Sequence, residues 1–415
     1  MPSFPAANTI KSRRVAVTAV GIVSPLGGNL MQTLASLKAG LDCVSPVTQF
    51  DVTKTKSSTA GQVPDACLEE IASENRHTRR LHRASHMMIA AMREALAQVP
   101  GFRPQLAVIG TTSGGMGHGE EFFKTYLRHG SQKQNATRLA NYSPQKQVLD
   151  ALASSRPGGI SVPCRIIANA CASGTNAIGH AFELVRGGKY DRVLCGGFDA
   201  ISEMVFTGFD SLQASTPGKI RPFDKERAGL VLGEGAAILA LEAWDAAPPR
   251  RRGSAPIAAE ITGYGISTDN HHLTQPHPSG IGPFQAMSRA LESAGCAAAE
   301  IDYINAHGTG TIFNDATEGA AITQLFPPGK PVSSTKSMMG HALGAAGAVE
   351  AVISILALQH QFLPPNIHFR EIGDPAWNFD IVAHESREAH LRRVMSNSFG
   401  FGGTNASIVI EGGPS

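Results

Sequence analysis

The sequence predicts an α/β protein made of two similar halves that bury their β-sheets. Short apolar runs of strand type alternate with helical runs along the 415 residues, which is typical of strands joined by helices. Each half also opens and closes with a similar strand. VAVTAVGIVS (15–24) resembles AAEITGYGIS (258–267), and GLVLGEGAAILALE (229–242) resembles GFGGTNASIVIE (400–411). These matches predict a duplicated unit.

The strands are predicted where apolar and β-branched residues are bounded by glycine or by polar turns. In chain order these runs are 14–22, 106–110, 161–168, 192–197, 236–242, 260–266, 303–308 and 406–411. A connector rich in proline, glycine and arginine follows the fifth run, at 243–256. We therefore place the N-terminal half at 1–255 and the C-terminal half at 256–415.

A helix with a basic start is predicted at 79–99, because apolar residues recur there at helical spacing. The apolar stripe consists of Leu81, Ala84, Met88, Ala91 and Ala95. The basic residues at its start are Arg76, Arg79, Arg80 and Arg83. A run of charge of this kind is usually a solvated face, and nothing further follows from it alone.

The composition limits the classes of function. The formal net charge is +2 and charged residues make up 17 %, so the chain lacks the strong field of a nucleic-acid binder. The 6 cysteines show no metal-ligand or CxxC spacing, which predicts free thiols in a reducing compartment. No window of the sequence reaches the roughly 20 consecutive apolar residues that a membrane-spanning helix needs. We therefore expect a cytoplasmic protein that binds neither nucleic acid nor membrane.

Cys171 stands at the junction between a predicted strand and a predicted helix. The strand-like run SVPCRIIANA precedes it, and apolar residues at helical spacing follow it as far as Gly187. At a helix N-terminus, free amides and the helix dipole lower the pKa of a thiol and favour the nucleophilic thiolate. The small residues on both sides leave room for a substrate. These features predict that Cys171 is a nucleophile rather than a small core residue.

Two histidines and a lysine lie in glycine-rich segments further along the chain. His307 follows a strand in AHGTGT, whereas Lys336 and His341 lie in SSTKSMMGHALGAAGAVEAV, which also contains Glu350. A lone histidine is more often a satisfied structural residue, but two in separate glycine-rich loops beside a candidate nucleophile predict a site. The turn in NSFGFGGTNAS (397–407) offers consecutive backbone N–H groups that could complete an oxyanion hole.

The motifs together resemble a known family. NACASGTNAIGHA, RPFDKERAGLVLGEGAA, INAHGTGTIFNDATE, SSTKSMMGHALGAAGAVEA and SNSFGFGGTNASIVIE are similar, in this order, to the elongating type II β-ketoacyl-acyl carrier protein synthases of the thiolase superfamily. The likeness extends from AVGIVSPLG (19–27) to the end of the chain. It implies a thiolase-like fold, an α-β-α-β-α layered sandwich of two duplicated halves, and a dimer.

The resemblance also implies a reaction and the roles of individual residues. Cys171 would be acylated by a carrier-bound thioester, and His307 and His341 would stabilise the enolate that forms when malonyl-carrier loses carbon dioxide. Lys336 would support His341 together with Glu350. The backbone amides of Cys171 and Phe401 would form the oxyanion hole, with Phe401 also acting as a gate. The residues implied on the pantetheine and substrate side are Thr309, Thr311, Phe401, Ser113 and Phe209.

Because carrier proteins are acidic, the resemblance gives the basic start of the helix a role in docking the acyl carrier protein. The predicted docking residues are Arg76, Arg79, Arg80 and Arg83, with Lys219 and Arg221 as additions. Ser113 replaces the bulkier aliphatic residue that many long-chain synthases carry, so the acyl pocket is expected to be larger or more polar. The histidines of NHHLTQPHP (270–278) match the family's substrate-side loop. We predict no metal and no cofactor bound by the enzyme itself.

Three alternative functions fit these residues less well. A non-catalytic chain-length partner would lack the cysteine, a degradative thiolase would need a second cysteine near the C-terminal strand, and a Cys-His hydrolase leaves the paired histidines unexplained. The alternative that stays open is an active ketosynthase subunit paired with a non-catalytic chain-length factor. The sequence therefore predicts decarboxylative Claisen condensation in fatty acid or polyketide synthesis, by a homodimer or a heterodimer.

Overall fold

The computed structural model describes residues 12–130, 139, 142–245 and 258–413. The strands of these ranges are β1 (Val15–Val23), β2 (Val44–Pro46), β3 (Thr59–Gly61), β4 (Leu106–Gly110), β5 (Cys164–Ile167), β6 (Arg192–Asp199), β7 (Gly235–Ala243), β8 (Ala259–Thr268), β9 (Tyr303–Asn305), β10 (Pro331–Ser333), β11 (Phe362–Leu363), β12 (Asp380–Ile381), β13 (Arg387–Glu388), β14 (Arg393–Gly400) and β15 (Thr404–Gly412).

The α-helices of the same ranges are α1 (Leu30–Ala39), α2 (Glu69–Ser73), α3 (Arg83–Gln98), α4 (Met116–His129), α5 (Pro144–Ser154), α6 (Ser173–Arg186), α7 (Glu203–Ser211), α8 (Ile281–Ala294), α9 (Ile312–Leu325), α10 (Lys336–Met339) and α11 (Ala346–His360). Short 3₁₀ turns lie at Asp65–Cys67, Thr78–Arg80, Ala298–Glu300, Leu343–Ala345 and Phe401–Gly403.

The strand order repeats itself about the centre of an 11-stranded sheet, β12-β10-β9-β14-β15-β8-β1-β7-β6-β4-β5. In each half the opening strand, β1 or β8, pairs antiparallel with the closing strand, β7 or β15. The next neighbour, β6 or β14, is also antiparallel, and the two after it are parallel. The prediction of a duplicated unit is confirmed by this order. The halves join where β1 also pairs with β8.

Helices cover the sheet on both sides and also fill the space between the halves. One core cluster contains residues of α6 and α11 together with residues from strands of both halves. A second cluster packs α3 and α5 on the outer face of the N-terminal strands, and a third packs α8 and α9 on the C-terminal strands. This is the α-β-α-β-α layering that the resemblance implied. The catalytic candidates lie at the ends of the strands and helices around the central layer.

The predicted helix at 79–99 begins later than expected. Thr78–Arg80 form a 3₁₀ turn, His82 is extended with its imidazole accepting a hydrogen bond from the Ala84 N–H, and α3 starts at Arg83. The apolar stripe is buried as predicted. The boundary proposed at residue 255, with most of the 243–256 connector, lies outside the described residues, since 246–257 are not described.

Two compositional expectations can be compared with the structure. All 6 cysteines are free thiols, which confirms that prediction. The segment Leu343–His360 has the length and hydropathy of a membrane-spanning helix, contrary to the expectation that no such window exists. However, 89 % of it is buried inside the fold, as in a core helix of the central layer.

Candidate active site

Cys171 is held in a tight turn between β5 and the N-terminus of α6. Ala170 adopts a left-handed conformation with φ of 55°, an uncommon one for a residue other than glycine. Its carbonyl accepts hydrogen bonds from the hydroxyl of Ser173 at 2.6 Å and from that of Thr112 at 3.2 Å. This turn places the Cys171 thiol just before the first residue of α6, where the sequence placed it, and leaves it 6 % exposed.

His307 lies on the glycine-rich turn that follows β9. The backbone N–H groups of His307 and Gly308 both donate to the carboxylate of Glu318, each at 2.8 Å. Gly308 has a φ of 38°, in the region that favours glycine, and the Ser334 hydroxyl donates to its carbonyl at 2.7 Å. These bonds fix the backbone on which the imidazole is mounted.

His341 lies between α10 and α11, and the other half of the molecule holds its backbone. Its N–H donates to the carbonyl of Val231 at 2.7 Å, and its carbonyl accepts from the N–H of Gly233 at 2.8 Å. Neither ring nitrogen has a hydrogen-bond partner among the described residues, although both are buried. Unpaired buried polar atoms are costly, so such an arrangement indicates groups kept free for a ligand.

The structure brings the three candidate residues together. The sulfur of Cys171 and one ring nitrogen each of His307 and His341 all lie within 4.8 Å of one another. The two imidazole rings are 5.2 Å apart between centroids and nearly perpendicular, at 84°. A substrate atom placed between them can therefore reach the sulfur and both imidazoles at the same time.

Both histidines are held in the neutral form. Burial is the main cause that lowers the pKa of His307 and of His341 well below the usual value, and the positive charge of Lys336 acts in the same direction. Lys336 itself is fully buried in an ion pair with Glu350, as predicted. Burial raises the pKa of Glu350 to about 7 against the opposing effect of Lys336. Each imidazole therefore offers one N–H donor and one lone pair at neutral pH.

The expected lowering of the thiol pKa by the helix N-terminus is wrong for this structure. Burial raises the pKa of Cys171 to about 11 and outweighs three stabilising contributions, which are the charge of Lys336 and hydrogen bonds from the backbone of Phe401 and of Cys171 itself. The nearby Asp199 carboxylate raises it further. The thiol is therefore protonated at neutral pH in the substrate-free site, and it must lose its proton as it attacks.

A cavity of about 170 Å³ leads to the three residues. Cys171, His307 and His341 lie at its inner end, and Thr309 and Thr311 line its wall with their hydroxyls 2.8 Å apart. Two further predicted residues also line this cavity. The rings of Phe209 and Phe401 stack there at 5.4 Å and 18°. This aromatic pair and the thiol therefore belong to the wall of the same cavity.

Ser113, which the resemblance placed on the substrate side, is not among the described residues that line this cavity, and its substrate role stays a prediction. It is buried, and its hydroxyl lies 3.2 Å from the carboxylate of Asp199. Asp199 also accepts the backbone N–H groups of Thr112, Ser113 and Gly114 at 2.6–2.8 Å, and that of Gly344 at 2.7 Å. Ser113 thus belongs to a structural turn that a buried carboxylate holds in place.

The predicted docking arginines divide into two groups. Arg76, Arg79 and Arg80 are exposed at the start of the α3 region. Arg83 is instead mostly buried and donates to the buried Glu234 at 2.7 Å and to Asp65 at 2.6 Å, so its predicted docking role stays a prediction. The two additional docking candidates also form ion pairs within the chain. Lys219 pairs with Asp42, and Arg221 pairs with Glu226 at 2.6 Å.

Buried carboxylates are the functional candidates that the sequence reasoning missed. Glu318 has a pKa raised to about 7 by burial, even though the N–H groups of the His307 turn donate to it. Asp315, in the same helix, accepts from the N–H groups of Phe223 at 2.7 Å and Gly310 at 3.2 Å. A signal existed, since both acidic residues lie inside an otherwise apolar helical pattern directly after the AHGTGT turn.

The Cys171, His307 and His341 donors are also close enough to be considered as metal ligands. The histidine-rich segment 270–278 does not form such a group among the residues that the structure describes. The absence of a bound metal in the working enzyme therefore stays a prediction. Lys336, whose charge reaches both imidazoles, disfavours a cation between them.

Family comparison agrees with the geometry of this site. The model described as the N-terminal domain of beta-ketoacyl synthases matches residues 12–247, and the model of the C-terminal domain matches residues 258–370. The chain belongs to the beta-ketoacyl synthase family. The Cys-His-His cluster of this beta-ketoacyl synthase thus takes its nucleophile from the first matched region and its two imidazoles from the second.

Relatives of known name and structure resemble this synthase over nearly its whole length. The 3-oxoacyl-[acyl-carrier-protein] synthase 2 of Staphylococcus aureus is 35 % identical, covering 97 % of this chain and 99 % of its own. A beta-ketoacyl synthase from Burkholderia phymatum is 34 % identical with a TM-score of 0.86, covering 96 % of this chain and 99 % of its own. The ishigamide ketosynthase/chain length factor is 33 % identical with a TM-score of 0.86, covering 97 % and 99 %.

Proposed function

We propose that this chain catalyses decarboxylative Claisen condensation between an acyl group held on Cys171 and malonyl-acyl carrier protein. The product is 3-oxoacyl-acyl carrier protein. The observation that carries the proposal is the convergence of one thiol and two neutral imidazoles within 4.8 Å at the inner end of a cavity. A hydrolase needs one imidazole beside its nucleophile, whereas stabilising an enolate uses two donors.

In the first half-reaction Cys171 accepts the acyl group. The sulfur attacks the thioester carbon, the bond from that carbon to the pantetheine sulfur breaks, and the backbone N–H groups of Cys171 and Phe401 stabilise the negative oxygen. Because the thiol starts protonated, its proton passes to a neutral imidazole and then to the departing pantetheine sulfur. The deacylated carrier leaves as a free thiol.

In the second half-reaction malonyl-carrier occupies the same cavity. The bond to its terminal carboxylate breaks, carbon dioxide leaves, and the electron pair becomes an enolate whose oxygen accepts hydrogen bonds from His307 and His341. The enolate carbon attacks the acyl carbon on Cys171, and the bond from that carbon to the sulfur breaks. The Cys171 thiolate then takes up one proton, which restores the starting enzyme. Lys336 and Glu350 act only through their field and packing at His341.

The substrates are expected to arrive on the phosphopantetheine of acyl carrier protein, so the enzyme itself needs no cofactor. Thr309 and Thr311 are suited to hydrogen-bond the amide groups of this arm, and Phe209 and Phe401 to gate its entry. The exposed residues Arg76, Arg79 and Arg80 are suited to steer an acidic carrier. The unpaired cysteines are consistent with a cytoplasmic protein.

The proposed function is tested by intact-mass spectrometry after incubation with acyl-carrier proteins of different chain lengths. The wild-type chain is expected to gain the mass of one acyl group, and Cys171→Ala is expected to gain none. Cys164→Ala is a matched control, because Cys164 lies in β5, close to Cys171 along the chain and outside the cavity. Acylation of Cys171→Ala at the wild-type level would refute the assignment of the nucleophile.

A second candidate is that the chain is the catalytic member of a heterodimer. The observation in its favour is the 33 % identity to the ishigamide ketosynthase/chain length factor. A homodimer is the other possibility. Native mass spectrometry of the chain expressed alone and with a homologous partner that lacks the nucleophile would distinguish them. Condensation by the isolated homodimer would exclude an obligate heterodimer.

A further inference from the structure

A second cleft lies on the N-terminal half and is separate from the active-site cavity. It has a volume of about 860 Å³ and lies beside the C-terminal ends of α3 and α5. The apolar residues of its wall are Leu96, Ala97, Pro100, Ala153 and Pro157. None of the described residues that line this cleft also lines the cavity of Cys171. A ligand can therefore occupy the cleft without contact to the catalytic residues.

Two arginines meet beside this cleft without an acidic partner. The guanidinium of Arg156, a residue of the cleft wall, donates to the carbonyl of Phe102 at 2.9 Å, and that of Arg103 donates to the same carbonyl at 3.2 Å. Neither arginine forms an ion pair with a carboxylate among the described residues. Burial and the neighbouring charge of Arg103 lower the pKa of Arg156. Two like charges are therefore held side by side without compensation.

The other basic residues of the cleft wall already face acidic groups or carbonyls. Arg93 donates to the carboxylate of Glu74 at 2.7 Å and to the carbonyl at the end of α5 at 2.8 Å. The imidazole of His77 lies 3.7 Å from the carboxylate of Asp150. A guanidinium has five N–H groups, and Arg156 uses one of them in its bond to the carbonyl. The uncompensated charge and the available donors of the cleft are therefore those of Arg156 and its neighbouring arginine.

We propose that this cleft binds a small organic phosphate, with the phosphate group at Arg156 and Arg103 and the organic part against the apolar wall. Two guanidiniums carry two positive charges, and a phosphate monoester balances them with about −1.5 to −2 at pH 7, whereas a carboxylate supplies only one negative charge. The planar N–H groups of arginine also pair with phosphate oxygens in a bidentate manner. The inference goes beyond the proposed condensation and does not depend on it.

The test measures the binding of three probes to the full-length chain by isothermal titration calorimetry at constant ionic strength. Phenyl phosphate has both the double charge and an apolar ring. Inorganic phosphate has the charge without the ring, and benzoate has the ring with a single charge. Phenyl phosphate is expected to bind at least about fivefold more tightly than either of the other probes, because only it uses both the arginines and the apolar wall.

Variants that change the charge of the cleft provide the decisive comparison. Arg103→Gln/Arg156→Gln should raise the Kd of phenyl phosphate about tenfold or more, because charge-assisted hydrogen bonds are lost. Ala97→Glu should also raise it, since it adds a carboxylate at an exposed position of the wall and keeps both arginines. Glu74→Gln removes a carboxylate from the wall and should lower the Kd. Arg392→Gln is the matched control, because Arg392 is exposed and lies outside the cleft.

Several results would overturn the inference. They include a wild-type chain that does not bind phenyl phosphate, or a Kd that is unchanged in both Arg103→Gln/Arg156→Gln and Ala97→Glu. An equal loss in Arg392→Gln would mean that only the net charge matters. Benzoate that binds as tightly as phenyl phosphate would exclude phosphate as the recognised group. Loss of binding after alkylation of Cys171 with iodoacetamide would assign the probe to the active-site cavity. If the double variant is unstable in thermal melts, Ala97→Glu alone decides.

Discussion

The two halves of the molecule build the same kind of turn at the same place and use it differently. In the N-terminal half the turn after β4 contains Ser113, and its N–H groups donate to Asp199. In the C-terminal half the turn after β9 contains His307, and its N–H groups donate to Glu318. Strands β4 and β9 occupy equivalent positions in the repeated strand order.

The difference between these turns shows how a duplicated fold acquires a single active site. Both turns have buried carboxylates as backbone anchors, but only the C-terminal turn directs a titratable side chain into the cavity. The N-terminal anchor has another task. Asp199 also accepts the N–H of Gly344, three residues after His341, and so connects the two halves below the site. One turn therefore contributes chemistry, and the other contributes support.

The strongest test of this comparison exchanges the side chains of the two turns for alanine. His307→Ala should reduce condensation by about 10²–10⁴-fold, because one enolate donor is lost. Ser113→Ala should lose about 1 kcal/mol of stability, the value of one hydrogen bond, with turnover close to wild type. Steady-state turnover and thermal unfolding of both variants provide the measurement. Similar turnover of the two variants would contradict the division of roles.

The second test changes the two anchors. Glu318→Gln and Asp199→Asn each place an amide N–H₂ against backbone donors, and each buried donor left unpaired costs about 1–3 kcal/mol. Glu318→Gln is expected to reduce kcat more than tenfold, since it displaces the backbone of His307. Asp199→Asn is expected to lower Tm further, because four backbone N–H groups converge on Asp199 and two on Glu318. A larger loss of kcat in Asp199→Asn than in Glu318→Gln would contradict the assignment of catalysis to the C-terminal turn and of structural support to the N-terminal turn.

The third test concerns the thiol that the N-terminal half contributes. Because burial raises the pKa of Cys171 to about 11, the rate of its alkylation by iodoacetamide should rise about tenfold for each pH unit between pH 7 and 10. The sign follows from the thiolate fraction, which grows with pH until the pKa is reached. The rate is measured as loss of free thiol, with Cys171→Ala as the control for other cysteines. A plateau that begins near pH 7 would instead support the lowered pKa expected from the sequence.

The smallest effect is expected at the basic surface of the N-terminal half. Arg79→Glu/Arg80→Glu should raise KM for acyl-carrier protein several-fold at low salt, and the difference should shrink as salt screens the charges. Arg83→Gln is the contrast, because breaking its pair with the buried Glu234 should cost about 3–5 kcal/mol of stability. Kinetics at two salt concentrations and thermal melts distinguish the two. A salt-independent KM in the double variant would remove these arginines from carrier docking.

Periodicity and motif order were enough to predict the duplicated α/β fold and the residues that meet at the site. Strand runs and their order follow from local apolar patterns, and Cys171, His307 and His341 each follow a glycine-rich or small-residue junction. These are properties of short segments. For that reason they can be read from the sequence without knowing which segments become neighbours in space.

Most of what the sequence did not reveal has the opposite property, since it depends on contacts between distant segments. The direction of the Cys171 pKa depends on how deeply the other half buries the thiol, and the ion pair of Arg83 depends on Glu234, 151 residues away. The turn that contains Ser113 folds onto Asp199, 86 residues further along the chain. The start of α3 was misplaced because the imidazole of His82 caps it, a function that histidine rarely signals in a sequence.

The short antiparallel contact between β1 and β8 has a consequence for how the chain can be divided. It runs from Val15–Val17 to Ala259–Ile261 and makes β1 a shared border of both repeats. Expression of either repeat alone would leave one edge of its sheet unpaired. It would also expose the face of the central helices that packs against the other half. Exchange of one repeat between related synthases should therefore succeed only when the paired residues of β1 and β8 are exchanged together.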